Sequence, residues 1–306
     1  MRAKSNFRLT GQRCVISRRD KSYPQALLEL HEPPQHLYVV GNPDALRRGL
    51  SVVGARHATP YGLACTRCFA GAASRRGITI ISGGALGCDA ESHRAALDAG
   101  GPTVAVLGGG ANYLYPAANA PLFQRIVDQG GAVISEYEWD EYPQSYRFRM
   151  RNRIIAALGL ATLIVEAGLP SGTFSTADEA LALGREVMAV PGCITSKGSA
   201  GSNHLIFQGA TPIVDEEVFD ECLARIFGTL KQEGELAVAS ASMEDDPLLA
   251  SIQANPLRLE EIMTAVSEGH ISLKGGDAEV LVRLSKLEAE GLVARFPDGR
   301  YGPARI

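Results

Sequence analysis

The sequence predicts an α/β fold in which helices cover both faces of a mostly parallel sheet. Two observations predict it: short apolar segments rich in β-branched residues alternate regularly with helical patterns, and most of these segments end at a glycine. Buried parallel strands have this continuous apolar character, and the helices between them supply the crossover connections. The expected architecture is a doubly wound, extended Rossmann-like sheet with a small C-terminal winged-helix module.

Strands of the predicted sheet recur through the central part of the chain. Parallel strands are expected at residues 50–53, 78–81, 103–107, 132–135, 162–165, 187–190 and 211–214. An edge strand is expected at residues 37–41, after a short helical stretch at 25–30 that Pro33 and Pro34 end. Helical patterns at 61–74 and from Cys88 onward separate the first three parallel strands.

The C-terminal part of the chain follows a different pattern. The alternation is lost after Phe227, and residues 228–247 are rich in Ala, Ser and Glu, as linkers are. We therefore expect an N-terminal extension (1–46), a Rossmann-like domain (47–228), a linker (229–246) and a winged-helix domain (247–306). In the last of these, helices are expected at 248–254, 257–267 and 277–290, followed by a hairpin around the Asp298–Gly299 turn.

Charge argues against duplex binding by this C-terminal module. Residues 247–306 carry seven Arg or Lys and eight Asp or Glu, and the third helix is itself acidic. Duplex binding depends on neutralising phosphates, so a protein contact is the expected use of the module.

Bulk composition narrows the class of protein. The 306 residues carry a net charge of −4, so any contact with nucleic acid must come from a local patch. The basic start lacks the apolar core of a signal peptide, and no apolar run is long enough to span a bilayer, so a cytoplasmic protein without a membrane partner is expected. Six scattered cysteines do not form a disulfide framework, and Cys65 and Cys68 are expected to be buried on one helix.

Glycine-rich turns follow the predicted strands. The first strand is followed by Gly54, Ala55 and Arg56, and the second by a turn from Ser82 to Gly87 that leads into a helix. Further glycine turns follow at 108–110, 166–168 and 191–192. Because the carboxyl ends of parallel strands meet at one edge, these turns predict a groove rich in N–H groups that suits phosphate. Tight packing of strand on helix is the alternative for each single turn.

A basic and aromatic segment at 146–153 interrupts the alternation. It contains Arg147, Arg149, Arg151 and Arg153 together with Tyr146 and Phe148, and no acid. Guanidinium groups bind phosphate, and aromatic faces stack on bases. The alternative is a solvated helix start paired with the nearby acids at 138, 140 and 141. Its place between two strands of the same sheet favours a role in ligand binding.

Several enzyme motifs are missing from the predicted edge. No GxGxxG follows the first strand, and the second strand ends in Ser82 where a dinucleotide-binding protein has a ribose-binding acid. The GxxxxGK[ST] motif of P-loop ATPases does not occur. Asp89 and His93 lie four residues apart on a helix and could ligate a metal or transfer protons. With no third ligand in view, helix capping and packing are the favoured roles for this pair.

Motifs in fixed order carry a resemblance to a known family. They comprise 53–56 with Tyr61–Gly62, 82–89 with His93, Tyr115–Pro116, 135–137, Phe148 with 151–155, 165–167, 171–173, 176–177, 184–185, 190–192, and 201–203 with 209–210. From about residue 23 to 214, and again at the C-terminus, the chain resembles the DNA-processing protein A family (DprA, also called Smf). Cys88 and Arg149 depart from the usual residues of the family, and the segment between Glu136 and Phe148 lacks its usual proline-glycine-rich character.

The resemblance implies a function and a set of site residues. The family implies a dimeric protein that binds single-stranded DNA, protects it and loads the RecA recombinase on it during natural transformation. The expected DNA-binding residues are Gly54, Arg56, Ser82, Gly83, Gly84, Gly87, Phe148, Arg149, Arg151, Asn152, Arg153, Gly172, Thr173 and Asn203. No catalytic residue, cofactor or metal is expected.

One enzyme class with a similar fold is the alternative. The lonely-guy type phosphoribohydrolases, which act on nucleoside monophosphates, carry a catalytic Glu three residues after a Gly-Thr pair. Here Thr176 occupies that position after Gly172 and Thr173, and the nearest acids are Asp178 and Glu179. Because the carboxylate is out of register, a binding protein is expected rather than an enzyme.

Overall fold

A nine-stranded sheet forms the main body of the protein. The computed structural model describes residues 7–228, 246–273, 276–296 and 298–304. Its strands are β1 (Arg13–Ser17), β2 (His36–Gly41), β3 (Gly49–Val53), β4 (Ile80–Ser82), β5 (Thr103–Val106), β6 (Ala132–Ser135), β7 (Gly159–Ile164), β8 (Glu186–Ala189) and β9 (Thr211–Pro212). The order across the sheet is β1-β2-β6-β5-β4-β3-β7-β8-β9. Neighbouring strands from β6 across to β9 pair in parallel. On the other side of β6, β2 pairs antiparallel with β6, and β1 pairs antiparallel with β2.

Helices connect the parallel strands, as the alternation predicts. They are α1 (Pro60–Arg75), α2 (Cys88–Asp98), α3 (Ala120–Asp128), α4 (Ser145–Leu158), α5 (Thr173–Ala182), α6 (Ala200–Phe207) and α7 (Glu216–Phe227). Helix α1 begins where Thr59 accepts a hydrogen bond from Gly62 N and Pro60 presets the first helical φ. Apolar side chains of α1 and α7 fill one face of the sheet, and those of α4 and α5 fill the other. The predicted α/β fold is confirmed.

One expectation about the sheet is wrong. Residues 37–41 do form a strand, but β2 lies between β1 and β6 and is not an edge strand. The true edge, β1, pairs with β2 from Arg13↔Val40 to Ser17↔His36. Exposed Arg13 and Val15 alternate in it with partly buried Cys14 and buried Ile16, so β1 lacks the continuous apolar pattern of the buried strands.

The chain order reverses at β3. From β3 the chain builds β4, β5 and β6 on one side, and it then returns to place β7 on the other side of β3. In open α/β sheets, ligands bind at the carboxyl ends of the strands where the order reverses in this way. The space between the loops that follow β3 and β7 is therefore the place to look for a site.

A second, smaller unit occupies the C-terminal part of the chain. It consists of α8 (Pro247–Ala254), β10 (Leu257–Arg258), α9 (Leu259–Ser267), α10 (Asp277–Ala289), β11 (Val293–Arg295) and β12 (Arg300–Pro303). The three strands form an antiparallel sheet in the order β10-β12-β11, over a core that includes Ile252, Ile262 and Leu284. These elements agree with the expected helices and hairpin, whereas the winged-helix assignment and the domain boundaries remain predictions. Of the predicted linker, residues 229–245 lie outside the described residues.

Two further expectations from composition can be compared with the structure. Within the described ranges, no helix is both long enough and apolar enough to cross a membrane. Cys65 is buried and Cys68 partly buried, and both pack into the core beneath α1. Burial raises the pKa of the Cys65 thiol to about 12, which keeps it protonated and unreactive at neutral pH.

Candidate functional site

An open cavity lies where the order of strands reverses. It has a volume of about 340 Å³ and is lined by the loop after β3, the start of α2, the side of α4 and the loop that leads into α5. We call it the carboxyl-edge cavity. The residues that line it include the predicted Gly54, Arg56, Arg151, Asn152, Gly172 and Thr173. The tertiary structure therefore brings together six of the fourteen predicted site residues.

The first two glycine turns pack against each other below this cavity. A Cβ built on Gly87 would come within 2.1 Å of Ala55 O, and one on Gly54 would come within 2.6 Å of Cys88 Sγ. Gly87 also has φ 77°, a conformation that favours glycine. Close packing, the alternative raised by the sequence, thus accounts for these two glycines, and the same packing presents the start of α2 to the cavity.

Arg151 is buried beneath the cavity floor. Its Nη1 donates to Gly83 O at 2.7 Å and also to Val106 O, so it joins the ends of β4 and β5. The side chain is 5% exposed, and burial lowers the pKa of the guanidinium to about 10. Attraction to the Asp89 carboxylate raises this pKa, and the guanidinium stays cationic at neutral pH. The structure directs Arg151 mainly to the protein backbone.

Asp89 and His93 form a buried polar layer on α2. Asp89 accepts a hydrogen bond from Ala85 N at 3.3 Å, and burial raises the pKa of its carboxyl group. His93 Nδ1 lies 2.7 Å from Thr103 Oγ1, and burial lowers the pKa of the imidazole to about 3, which leaves it neutral. Among the residues that the structure describes, no group of three His, Cys, Asp or Glu could hold a metal ion. The geometry agrees with the packing role favoured for this pair.

Exposed groups suited to nucleic acid lie at the mouth of the cavity and on the neighbouring helix α4. Arg56 is exposed on the loop after β3, and Arg149 is exposed on α4 next to Phe148. The Phe148 ring lies 5.3 Å from the Tyr115 ring, measured between centroids. Arg56, Phe148 and Tyr115 line a second opening that continues the cavity past Gly83 and Leu86. Cationic and aromatic groups therefore share one surface.

Other predicted site residues make contacts within the protein. Arg153 forms a bidentate salt bridge with Glu136: its Nη1 donates to Oε1 at 3.0 Å and its Nη2 to Oε2 at 2.6 Å. Asn203 donates to Gly192 O and accepts from Gly192 N, which closes a loop away from the cavity. Asn152 donates to Ser175 Oγ at 2.8 Å and so ties α4 to the start of α5. Asn152 alone of these three also lines the cavity.

The remaining predicted residues belong to the turn after β4. Ser82 Oγ donates to Val52 O at 2.6 Å and is fully buried. Gly84 has φ 66°, and a Cβ on it would come within 2.4 Å of Phe123 Cε1. Both residues shape the turn without facing the cavity directly.

Glu166, two residues after β7, is an acidic residue near the carboxyl edge of the sheet. Its Oε2 accepts from Thr59 N at 2.8 Å and from Thr59 Oγ1 at 3.1 Å, and the residue is 2% exposed. Burial raises the pKa of this carboxyl group, and the bonds from Thr59 oppose that change. Glu166 therefore holds the start of α1 and does not line the carboxyl-edge cavity.

Sequence reasoning left several lining residues outside the predicted site. His57 and Ser171 line the cavity, and Tyr115 and Leu86 line its continuation. Tyr115 could have been predicted from the sequence, because Tyr115–Pro116 is one of the motifs that carry the family resemblance. Leu86 and Ser171 also lie in such motifs, 82–89 and 171–173, whereas His57 belongs to none of them.

Fold and site together define a Rossmann-like α/β protein with an open cationic and aromatic cavity at the carboxyl edge of its sheet. The family model described as DNA recombination-mediator protein A matches residues 14–224. The chain belongs to this family, which confirms the resemblance inferred from the motifs.

Relatives and solved structures agree with this membership. Protein Smf of Escherichia coli is 38% identical over 281 residues, covering 90% of this chain and 74% of the relative. A putative DNA processing protein DprA of Mycobacterium tuberculosis is 39% identical over 254 residues, covering 83% of this chain and 64% of the relative.

Two solved structures are similar in fold and sequence. DNA processing protein A of Streptococcus pneumoniae matches with a TM-score of 0.62 and 36% identity, over 68% of this chain and 73% of that one. The Helicobacter pylori protein matches with a TM-score of 0.65 and 30% identity, over 73% of this chain and 100% of that one. The latter structure is described as giving insight into a single-stranded DNA binding mode.

Proposed function

We propose that the protein binds single-stranded DNA along the carboxyl-edge cavity. One observation carries the proposal: Arg56 and the Phe148–Tyr115 ring pair line the same opening. A single strand offers phosphates to guanidinium groups and free base faces to aromatic rings, whereas a duplex hides those faces. Membership in the family, and the single-stranded DNA binding described for the Helicobacter pylori relative, support the proposal.

The predicted site residues take two kinds of role in this proposal. Arg56, Arg149, Phe148, Gly172 and Thr173 touch the strand. The others position the surface from below or beside it: Gly54, Ser82, Gly83, Gly84, Gly87, Arg151, Asn152, Arg153 and Asn203. Their burial and internal hydrogen bonds support this division.

The wider role follows from the family rather than from the cavity. We infer that the protein acts in the cytoplasm as a homodimer, protects incoming single strands and loads the RecA recombinase on them during natural transformation. Family membership and the name of the Mycobacterium tuberculosis relative, a putative DNA processing protein, support this assignment.

We also infer that the protein is not an enzyme. A phosphoribohydrolase needs a catalytic carboxylate three residues after Gly172–Thr173, and Thr176 stands there, buried. Glu166 is occupied by Thr59. We expect no release of adenine from AMP, measured by chromatography; release that is lost in Glu166→Gln would restore the enzyme alternative.

The proposal is tested by fluorescence anisotropy with labelled oligo-dT and a matched duplex at several salt concentrations. We expect tighter binding of the single strand, with log affinity falling linearly as log salt rises. Arg56→Ala is expected to weaken binding by about 1–3 kcal/mol, as loss of a charge-assisted phosphate bond does. Arg125→Ala is the matched control, because Arg125 on α3 forms an exposed pair with Asp98 at the end of α2, and neither residue lines the cavity. Equal affinity for both forms of DNA would refute the proposal.

A further inference from the structure

The segment between Glu136 and Phe148 departs from the family pattern and is held in a defined shape. Gly110 N donates to Glu141 O at 2.8 Å, and Asn112 N donates to Trp139 O at 2.9 Å. A Cβ on Gly110 would come within 2.0 Å of Glu138 O. The segment therefore lies directly against the glycine turn that follows β5, and its side chains have fixed positions.

This contact produces a second pair of aromatic rings. Tyr142 on the segment and Tyr113 on the turn have ring centroids 5.5 Å apart and planes inclined at 64°. Tyr142 is 52% exposed, close to the 48% of Tyr115 in the first pair. An exposed ring supported edge-on by a neighbour presents a face on which a base can stack.

The two ring pairs are neighbours on the same glycine turn. A Cβ on Gly108 would come within 2.7 Å of Phe148 Cδ1, and one on Gly109 would come within 2.8 Å of Pro143 Cα. Consecutive Cα atoms are about 3.8 Å apart, so adjacent residues of the turn contact the Phe148 ring and the residue next to Tyr142. Tyr115 and Phe148 line the opening that continues the cavity, whereas Tyr113 and Tyr142 do not, so the second pair lies beside the first and outside that opening.

The surrounding charges indicate which part of a strand this surface accepts. Glu138, Asp140 and Glu141 are exposed on the segment. Asp140 accepts from Asn112 at 2.9 Å and lies 4.0 Å from Arg8, and Glu141 accepts from Arg147 at 2.8 Å. These acids offset the neighbouring arginines, so the segment offers little net attraction for phosphates, whereas stacking of uncharged base faces needs no charge. The segment therefore suits bases.

We propose that Tyr142 and Tyr113 form a second base-stacking subsite for single-stranded DNA, beyond the Phe148–Tyr115 pair. The inference rests on the proposed function and deepens it. A strand seated in the carboxyl-edge cavity reaches Tyr142 only when it is long enough to pass the first pair. The subsite therefore adds affinity for longer strands and leaves the shortest ones unaffected.

The test is a length series of oligo-dT measured with the wild-type chain, Tyr142→Ala and Tyr142→Phe. Tyr142→Phe is the matched control, because it keeps the ring and removes only the hydroxyl. We expect Tyr142→Ala to bind the shortest oligomers normally and longer ones about tenfold more weakly, within the range for loss of one stacked base. Tyr142→Phe is expected to match the wild type at every length. Thermal melting checks that both variants fold.

An abasic scan then identifies the base concerned. A single abasic position is moved along an oligomer of sufficient length, and we expect one position at which the wild type and Tyr142→Ala bind equally well. Loss of affinity at all lengths alike, no loss at any length, or no such abasic position would overturn the subsite. The proposed function predicts that, in each of these cases, the wild type still binds single-stranded DNA more tightly than duplex. Absence of that preference would instead refute the proposed function itself.

Discussion

The guanidinium of Arg151 lies directly against the backbone of Gly83, and a Cβ built on Gly83 would come within 2.4 Å of Arg151 Nη1. The same nitrogen donates to Gly83 O and Val106 O, so the arginine joins the carboxyl ends of two neighbouring strands. A positive charge is thereby held under the cavity while most of the side chain is hidden. Position 83 must be glycine for this arrangement, because any Cβ would overlap the guanidinium.

Gly83→Ala is expected to displace the guanidinium of Arg151. Because that group is buried and already bonded, the shift should lower the free energy of unfolding by about 1–3 kcal/mol and weaken binding of single-stranded DNA. Thermal melting and anisotropy measure the two effects. Gly172→Ala is the control for stability, since a Cβ there meets nothing within 4 Å and φ is −66°. An unchanged melting temperature for Gly83→Ala would mean that the contact has no energetic role.

Arg153→Ala is expected to affect stability more than DNA binding. Arg153 and Glu136 are each only 13% exposed and are joined by two hydrogen bonds, so removing the arginine leaves a largely buried carboxylate unpaired. We expect a loss of about 1–3 kcal/mol in the free energy of unfolding, measured by urea denaturation. A double-mutant cycle with Glu136→Gln isolates the pair.

Arg56→Ala is the control for the prediction about Arg153. Arg56 is exposed and lines the cavity, so its loss should weaken binding without lowering stability. If Arg153→Ala weakened DNA binding as strongly as Arg56→Ala while the protein stayed equally stable, Arg153 would have to contact the strand.

Glu166→Gln is expected to change the dependence of stability on pH. Burial raises the pKa of Glu166 in the folded protein above its usual value of 4.5. Its contribution to stability is therefore complete below the unfolded pKa and is lost as pH rises through the folded pKa. The glutamine keeps an oxygen that can accept both bonds from Thr59. We expect the variant to become more stable relative to the wild type as pH rises from 4.5 through the raised pKa of folded Glu166, measured by urea denaturation. A variant that loses stability relative to the wild type over this range would contradict the prediction.

Truncation after Asp246 is expected to leave affinity for single-stranded DNA within about twofold of the full chain, a difference of about 0.4 kcal/mol. The C-terminal residues Asn255 and Arg300 face Tyr61 and Cys193 across a separate cavity, and no described C-terminal residue lines the carboxyl-edge cavity. Anisotropy with oligo-dT measures the effect, and thermal melting checks that the shortened chain folds. A loss of tenfold or more would show that the module contributes to DNA binding.

The sequence by itself determined the sheet and the edge at which the site lies. Continuous apolar segments followed by glycine, with helical patterns between them, are compatible with few arrangements other than buried parallel strands. The carboxyl ends of such strands must meet at one edge, so Gly54, Arg56 and the turn from Ser82 to Gly87 were predicted to lie together. The antiparallel strand β1 was missed because exposed residues alternate in it with partly buried or buried ones, so it lacks a continuous apolar pattern.

Only the tertiary structure decided what each arginine of α4 does. The four arginines are spaced by two residues, and each such step turns a helix by about 200°, so neighbouring arginines project from different sides. Arg151 enters the core, Arg153 meets Glu136, Arg147 meets Glu141, and Arg149 faces solvent. The four arginines of α4 therefore have different surroundings, although they lie on one helix. Which partner each one met depended on the glycine turns and acids that the fold brought to it from distant parts of the chain.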